Sequence, residues 1–137
     1  MSRHSLTALR IVAIAGVMVG LACHGPQGRI VVTDTEVALD QKTLEQLRSA
    51  GSDLSKTHTI QFYLYVPSQR DANAAATRLQ GDDFDTVVKQ DGRRWLCLGQ
   101  KSMVPTIETL SWARQVFKML ANDHHGQYDG WKAAAEP

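Results

Sequence analysis

Few residues in this 137-residue chain are of types that do chemistry. His124 and His125 stand side by side, and Tyr128-Asp129-Gly130-Trp131 follows them. Two imidazoles suggest a metal, but adjacent residues on a helix point about 100° apart and seldom ligate one ion. With no Cys or His at a supporting spacing, the pair reads as a solvated helix end. Cys97, within RRWLCLGQ, alternates with Trp95 and Gly99 and is expected to be a buried strand thiol. Gly51-Ser52-Asp53-Leu54-Ser55 lacks the lysine of a phosphate-binding loop, so Asp53 is expected to hold a turn through backbone hydrogen bonds. Asp82, Asp83 and Asp85, at the edge of a hairpin, are the best local match for a basic partner. Tyr128 and Trp131 are ring types favoured as interface anchors. Asp129-Gly130 is expected to form a tight turn that folds both rings over the open end of the core. Paired catalytic carboxylates, a nucleophile triad and a glycine-rich phosphate loop are absent from the pattern, which reads as a non-enzyme with no cofactor and no metal.

The elements that position these residues follow from periodicity. TEVALDQKTLEQLRSAG sets Val37, Leu44 and Leu47 on one helical face, with Gly51 as the stop. THTIQFYLYVP is β-branched and aromatic and ends at Pro67. It puts Ile60, Phe62, Leu64 and Val66 on one side and Tyr63 and Tyr65 on the other. Lacking basic neighbours in sequence, the two tyrosines are expected to pack beneath a helix rather than stack on RNA bases. Ser68 caps a helix whose narrow apolar face is Ala72, Ala75, Ala76 and Leu79. Phe84 to Gln90 and Arg94 to Gln100 flank an Asp91-Gly92 turn. A long helix starts near Pro105 with Ile107, Leu110, Phe117 and Leu120 in register, widened by Trp112, Val116 and Met119. A short strand over Tyr128 to Ala133 closes the chain. After the first helix the order is strand, helix, strand, strand, helix, strand. That is the split β-α-β order of an α+β, ferredoxin-like sandwich, an antiparallel sheet with helices on one face and an extra N-terminal helix.

The first 22 residues have a different character. Arg3, His4 and Arg10 precede IVAIAGVMVGLA, an uncharged run that would rise only about 18 Å as a helix, too short for a hydrocarbon core of about 30 Å. A basic start, a short apolar stretch and small residues before Cys23 are the marks of an export signal. The expected organisation is a signal peptide over 1–22, a tether over 23–33 and a domain over 34–137. VGLAC resembles a bacterial lipobox, which implies a lipid on Cys23 and an envelope or periplasmic location; a disulfide from Cys23 to Cys97 is the alternative for an unlipidated chain. A true start at Met18 would instead leave the chain in the cytoplasm. Removing the segment takes Arg3 and Arg10 with it and leaves 13 basic residues against 14 acidic, where the full chain carries +1. The basic footprint of a general nucleic-acid binder is missing.

Five short words in order, AGSDLSK, FYLYVPS, WLCL, MVP and GQYDGW, resemble the regulator of ribonuclease E activity B (RraB) family from Leu44 to Trp131. They place Gly51, Asp53, Pro67, Trp95, Pro105, Asp129 and Gly130 among the motif positions. The resemblance implies a ferredoxin-like domain that binds a protein, ribonuclease E, and regulates it without catalysis. Export would separate the chain from that cytoplasmic partner, so the partner of an exported form stays open. The alternatives are a cytosolic ribonuclease E regulator, or an RNA- or small-ligand-binding module on the same fold.

Overall fold

The computed structural model describes residues 32–137. The expected signal segment, Cys23 and nearly all of the tether lie outside the described residues. Seven elements follow one another: α1 (Asp34–Ser49), β1 (His58–Val66), α2 (Gln69–Gly81), β2 (Asp85–Asp91), β3 (Arg94–Met103), α3 (Ile107–Asp123) and β4 (Gln127–Ala133). Each helix begins on a hydroxyl cap. The Thr33 and Thr106 side chains accept from the backbone N–H of Glu36 and Thr109, and both caps close reciprocally as capping boxes. Ser68 accepts from Asp71 N–H and donates to its carboxylate at 2.8 Å. These satisfy N–H groups that have no partner within the helix.

The sheet order is β2-β3-β1-β4 with every neighbouring pair antiparallel. The fold is an α+β, ferredoxin-like arrangement with an extra helix before the first strand. Period-2 burial along β1 sends Ile60, Phe62, Leu64 and Val66 inward, all at most 1% exposed. Against them pack Ala72, Ala75, Ala76 and Leu79 of α2, and Leu110, Ala113, Phe117 and Leu120 of α3. The alanines let α2 lie close to the strands, and the space toward α3 is filled by rings. Phe62 stacks on Phe117 at 5.2 Å, and Phe84 meets both edge-on at 5.9 and 5.4 Å.

Two expectations need correction. Tyr63 and Tyr65 do not lie beneath a helix: they sit on the opposite sheet face from Phe62 and Leu64, each partly exposed. Helices α2 and α3 are both committed to the Phe62 face, and among the described residues no helix covers the other. Basic groups do reach the tyrosines, because strands distant in sequence bring them: Arg94 lies 4.0 Å over Tyr65 and Lys132 5.3 Å over Tyr63. Trp112 and Met119 do not widen the buried face of α3; they are 40% and 44% exposed, and Trp112 stacks outside Phe84 at 5.8 Å. Among the described residues no helix is long and apolar enough to cross a membrane.

Candidate protein-binding site

Asp129-Gly130 is not a turn at the end of the core. It is a β-bulge within β4: Phe62 pairs with Trp131 and Leu64 with Tyr128, so two steps along β1 match three along β4. Gly130 takes φ +99, which an L side chain would resist, and this absorbs the extra residue. The consequence is chemical. Residues three apart on a regular strand face opposite sides, but the bulge turns both Tyr128 and Trp131 to the helix side. There Tyr128 meets Phe117 at 5.7 Å, and the Trp131 indole N–H donates to Asp40 Oδ1 on α1 at 2.9 Å.

Asp40 is the buried residue of α1, at 2% exposure. It falls on the same stripe as Val37, Leu44 and Leu47, so a carboxylate takes the place where an amphipathic helix normally puts an aliphatic side chain. Its oxygen also receives Arg114 Nη2 at 2.6 Å from α3. One turn earlier, Glu36 Oε1 receives Lys118 Nζ at 2.8 Å and lies 3.5 Å from Arg114 Nη1. The Arg114 guanidinium sits 5.4 Å over the Tyr128 ring. Burial pushes the Glu36 carboxyl up, but the hydrogen bonds from Lys118 and the Thr33 backbone outweigh it and leave it below the usual range. Burial drives the Tyr128 phenol far above its ordinary value, so it stays protonated. Three polar atoms here, Asp40 Oδ2, Arg114 Nε and Tyr128 OH, are buried without a hydrogen-bond partner. A directional ionic latch, alongside the partly buried Leu44, thus ties α1 to α3 and β4.

Beside the latch lies a cleft of about 490 Å³, lined by Glu36, Leu39, Lys118 and the bulged segment up to Trp131. A second hollow of about 430 Å³ borders the same Trp131 and continues between Leu47 of α1 and Ala133 of β4. Leu39, 56% exposed, gives the cleft an apolar lip. An exposed aliphatic side chain, large rings and charged groups at the margin are the materials of a protein contact.

The acidic trio lies elsewhere. Asp82, Asp83 and Asp85 form the connection from α2 into β2, not a hairpin tip. Asp82 pairs with Arg78 at 3.3 Å, Asp83 is exposed at φ 66, and Asp85 opens β2. Lys101 donates to the Asp82 carbonyl at 3.0 Å, tempering the local negative charge. Since β2 and β4 are opposite sheet edges, the structure does not bring this trio to Tyr128 and Trp131.

The remaining marked positions have framework roles. Asp53 Oδ1 accepts from the Ser55 hydroxyl at 2.6 Å and its N–H at 3.0 Å, and these bonds lower the Asp53 pKa. Gly51 (φ +93) leads out of α1, exposed Pro67 follows β1, partly buried Trp95 is the second residue of β3 and buried Pro105 precedes α3. His124 is not a solvated helix end: it is partly buried and its Nδ1 lies 3.1 Å from Asp71 of α2, while His125 is exposed. Cys97 is fully buried and unbonded, its thiol pushed up to about 11 by burial, which removes it as a nucleophile at neutral pH.

Sequence reasoning missed the Asp40–Arg114 latch and, beyond it, one further pair. His58 Nε2 lies 2.6 Å from Ser52 Oγ, and its Nδ1 lies 2.8 Å from the Lys56 carbonyl. The carbonyl can only accept, so Nδ1 carries a proton toward it. This resembles a catalytic dyad, but His58 is 0% and Ser52 6% exposed, and Ser52 Oγ also accepts the Glu136 N–H at 2.9 Å. With Asp53 N–H donating to the Glu136 carbonyl at 2.8 Å, the pair anchors the C-terminal segment. Among the described residues no group of His, Cys, Asp or Glu is arranged to hold a metal.

No curated protein matches the chain. A family model does, that of the regulator of ribonuclease activity B, over residues 38–133, from the first turns of α1 through the last residue of β4. The match takes in Asp40, Arg114, the bulge and Trp131 together with the whole sheet, and on that extent the chain belongs to the regulator of ribonuclease activity B family.

Proposed function

We propose that the chain is a non-enzymatic regulator that works by binding another protein, with the cleft between α1 and β4 as its contact surface. The observation that carries this reading is the family match across the entire sheet and both sides of the cleft. The cleft supports it physically: an exposed leucine beside a half-buried tryptophan, on an ionic latch that fixes the helix at one setting, presents a preorganised surface. The acidic α2–β2 connection, at the other sheet edge, adds long-range steering of a basic partner rather than docked contact. The chain acts in the cell envelope, released from its leader at Cys23, on a partner of that compartment. The second reading is a cytoplasmic regulator of ribonuclease E, favoured by the family's name.

One experiment separates these. Native chain is fractionated from cells, its intact mass is measured, and tagged chain is used to capture partners from envelope and cytosolic extracts. The envelope reading expects a chain beginning at Cys23, with a diacylglycerol mass if lipidated, and capture from envelope extract. An unprocessed cytosolic chain that captures the ribonuclease establishes the second reading. Leu39→Glu should abolish capture in either case without shifting the melting temperature, because Leu39 is already exposed. Turnover of a substrate with no protein captured refutes both.

A further inference from the structure

The sheet has a second face that none of the described helices covers, and the strand registers arrange its side chains in rows. One row runs from edge to edge through Asp85, Gln100, Gln61 and Lys132. The next runs Val87, Leu98, Tyr63 and meets the bulge of β4. A third runs Lys89, Leu96, Tyr65 and Gln127. The first row carries an acid at the β2 end and a base at the β4 end. Both are exposed, and neither forms an ion pair within the described residues.

That polarity has a geometric consequence. A half-turn about an axis parallel to the strands, placed above the face between β3 and β1, lays β2 of one copy over β4 of another. Each row then meets itself reversed. Asp85 faces the partner's Lys132 at both ends, Gln100 faces the partner's Gln61, and Leu98 faces the partner's Tyr63. Self-complementarity of this kind is what a two-fold interface requires.

The chemistry of the face agrees. Its second row is apolar, with Val87 53% exposed and Leu98 and Tyr63 partly so, while the first row sets two amides on the central strands between charges at its ends. Gln61 donates to Gln100 at 3.1 Å and Tyr63 OH to Gln61 at 3.1 Å, so the central side chains are ordered beforehand and little rotamer freedom remains to be lost. Lys89, Arg94 and Lys132 stand against Asp85 and Asp91, a sum of only +1, which is too weak a field to hold a polyanion and disfavours a nucleic acid. We infer that this face pairs with itself, two copies of the chain stacking sheet on sheet about a two-fold axis parallel to the strands. This stands apart from the regulator reading, since the α1–β4 cleft is on the other side of the sheet.

The size of the face sets the strength. Four strands about 4.8 Å apart and about seven residues long give roughly 450 Å² per copy. This is below the roughly 800 Å² per partner of a standard stable interface, so the dimer is reversible, with Kd in the micromolar range or above. The two twisted sheets cross at about 30°, a displacement the long Lys132 side chain spans.

The test is sedimentation velocity of the full chain over a wide concentration range, with Asp85→Lys, Lys132→Asp and the double reversal D85K/K132D. Wild type should pass from monomer to dimer with concentration. Each single reversal should raise Kd about tenfold or more, because it sets like charges opposite one another at two places, and the double should return Kd to within about threefold of wild type. A chain that is monomeric throughout overturns the inference. So does association indifferent to the single reversals, which arises elsewhere in the chain, and so does a double variant no better than the singles. Single-stranded RNA or a peptide bound by the monomer and lost on reversal overturns it too, assigning the face to that occupant.

Discussion

Asp40→Ala tests the ionic latch directly. The carboxylate is 2% exposed and accepts two hydrogen bonds, from Arg114 Nη2 at 2.6 Å and Trp131 Nε1 at 2.9 Å. Without it Arg114, 8% exposed, keeps one acid contact at 3.5 Å. Stranding a buried charge by removing its partner costs about 3–5 kcal/mol. The surviving Glu36 contact holds this case to the lower end, and the orphaned indole N–H adds about 1 kcal/mol. A loss of about 3–4 kcal/mol is a large share of the roughly 5–15 kcal/mol available to a domain of this size. With a urea m-value of about 1.5 kcal/mol/M, the midpoint should fall by about 2 M. Arg114→Met should cost a similar amount by stranding Asp40. The double variant D40L/R114M should lose less than either single change, because apolar groups that fill the same volume avoid the desolvation of both ions. Equilibrium urea unfolding followed by tryptophan fluorescence reads all three. An Asp40→Ala midpoint within about 0.3 M of wild type, or additive losses in the double, would refute the reasoning, since either result means the pair is solvated in practice.

Gly126→Ala should destabilise by about 2 kcal/mol or more in the same assay, because its Cβ would drive into the Tyr65 carbonyl oxygen and lie 2.7 Å from Val66, neither of which can retreat from the β1 ladder. In a Cys23→Ser chain, Cys97 should remain unlabelled by a disulfide reagent at neutral pH until the protein unfolds; fast stoichiometric labelling of folded chain contradicts its burial. The Asp71 carboxyl is held low by the Ser68 hydroxyl and then by His124, so its contribution is present above the ordinary carboxylate pKa and is lost as pH falls through the depressed one. Melting temperature should therefore fall less steeply between about pH 4 and pH 2 in Asp71→Asn than in wild type, and an unchanged slope counts against the pairing.

Much of the fold is legible in the chain because the local signals agree. Alternation from Ile60 to Val66 fixes the central strand, hydroxyl caps at Ser68 and Thr106 start the flanking helices, and Asp91-Gly92 closes the hairpin. What failed depended on partners remote in sequence. Tyr63 and Tyr65 lack basic neighbours along β1, yet Arg94 arrives from β3 and Lys132 from β4. Asp129-Gly130 has the composition of a hairpin turn, but a positive φ at Gly130 serves a bulge equally well, and only pairing with β1 distinguishes the two. His124 points inward where His125 does not, and nothing near either announces that Asp71 of α2 will be there. Asp40 did leave a signal. A carboxylate on an otherwise apolar stripe has to find a cation, and the long helix offered Arg114 and Lys118 one turn apart.

The latch also bears on why α1 can serve a contact surface. A helix held by a broad apolar face would slide until its leucines were covered, and the hollow beside β4 would close. α1 instead buries one carboxylate, whose bonds to Arg114 and Trp131 come from fixed directions and define one position for the helix. Leu39 is left outside that position, on the lip of the cleft. Burying the Asp40 and Arg114 charges carries a desolvation cost that an apolar helix face would avoid. D40L/R114M therefore separates the two roles of the latch. It should fold about as firmly as wild type while α1 resettles against β4, and partner capture should weaken although Leu39 itself is untouched. Capture at wild-type strength by that variant would mean the latch sets stability alone, and that the partner reads a surface other than the cleft.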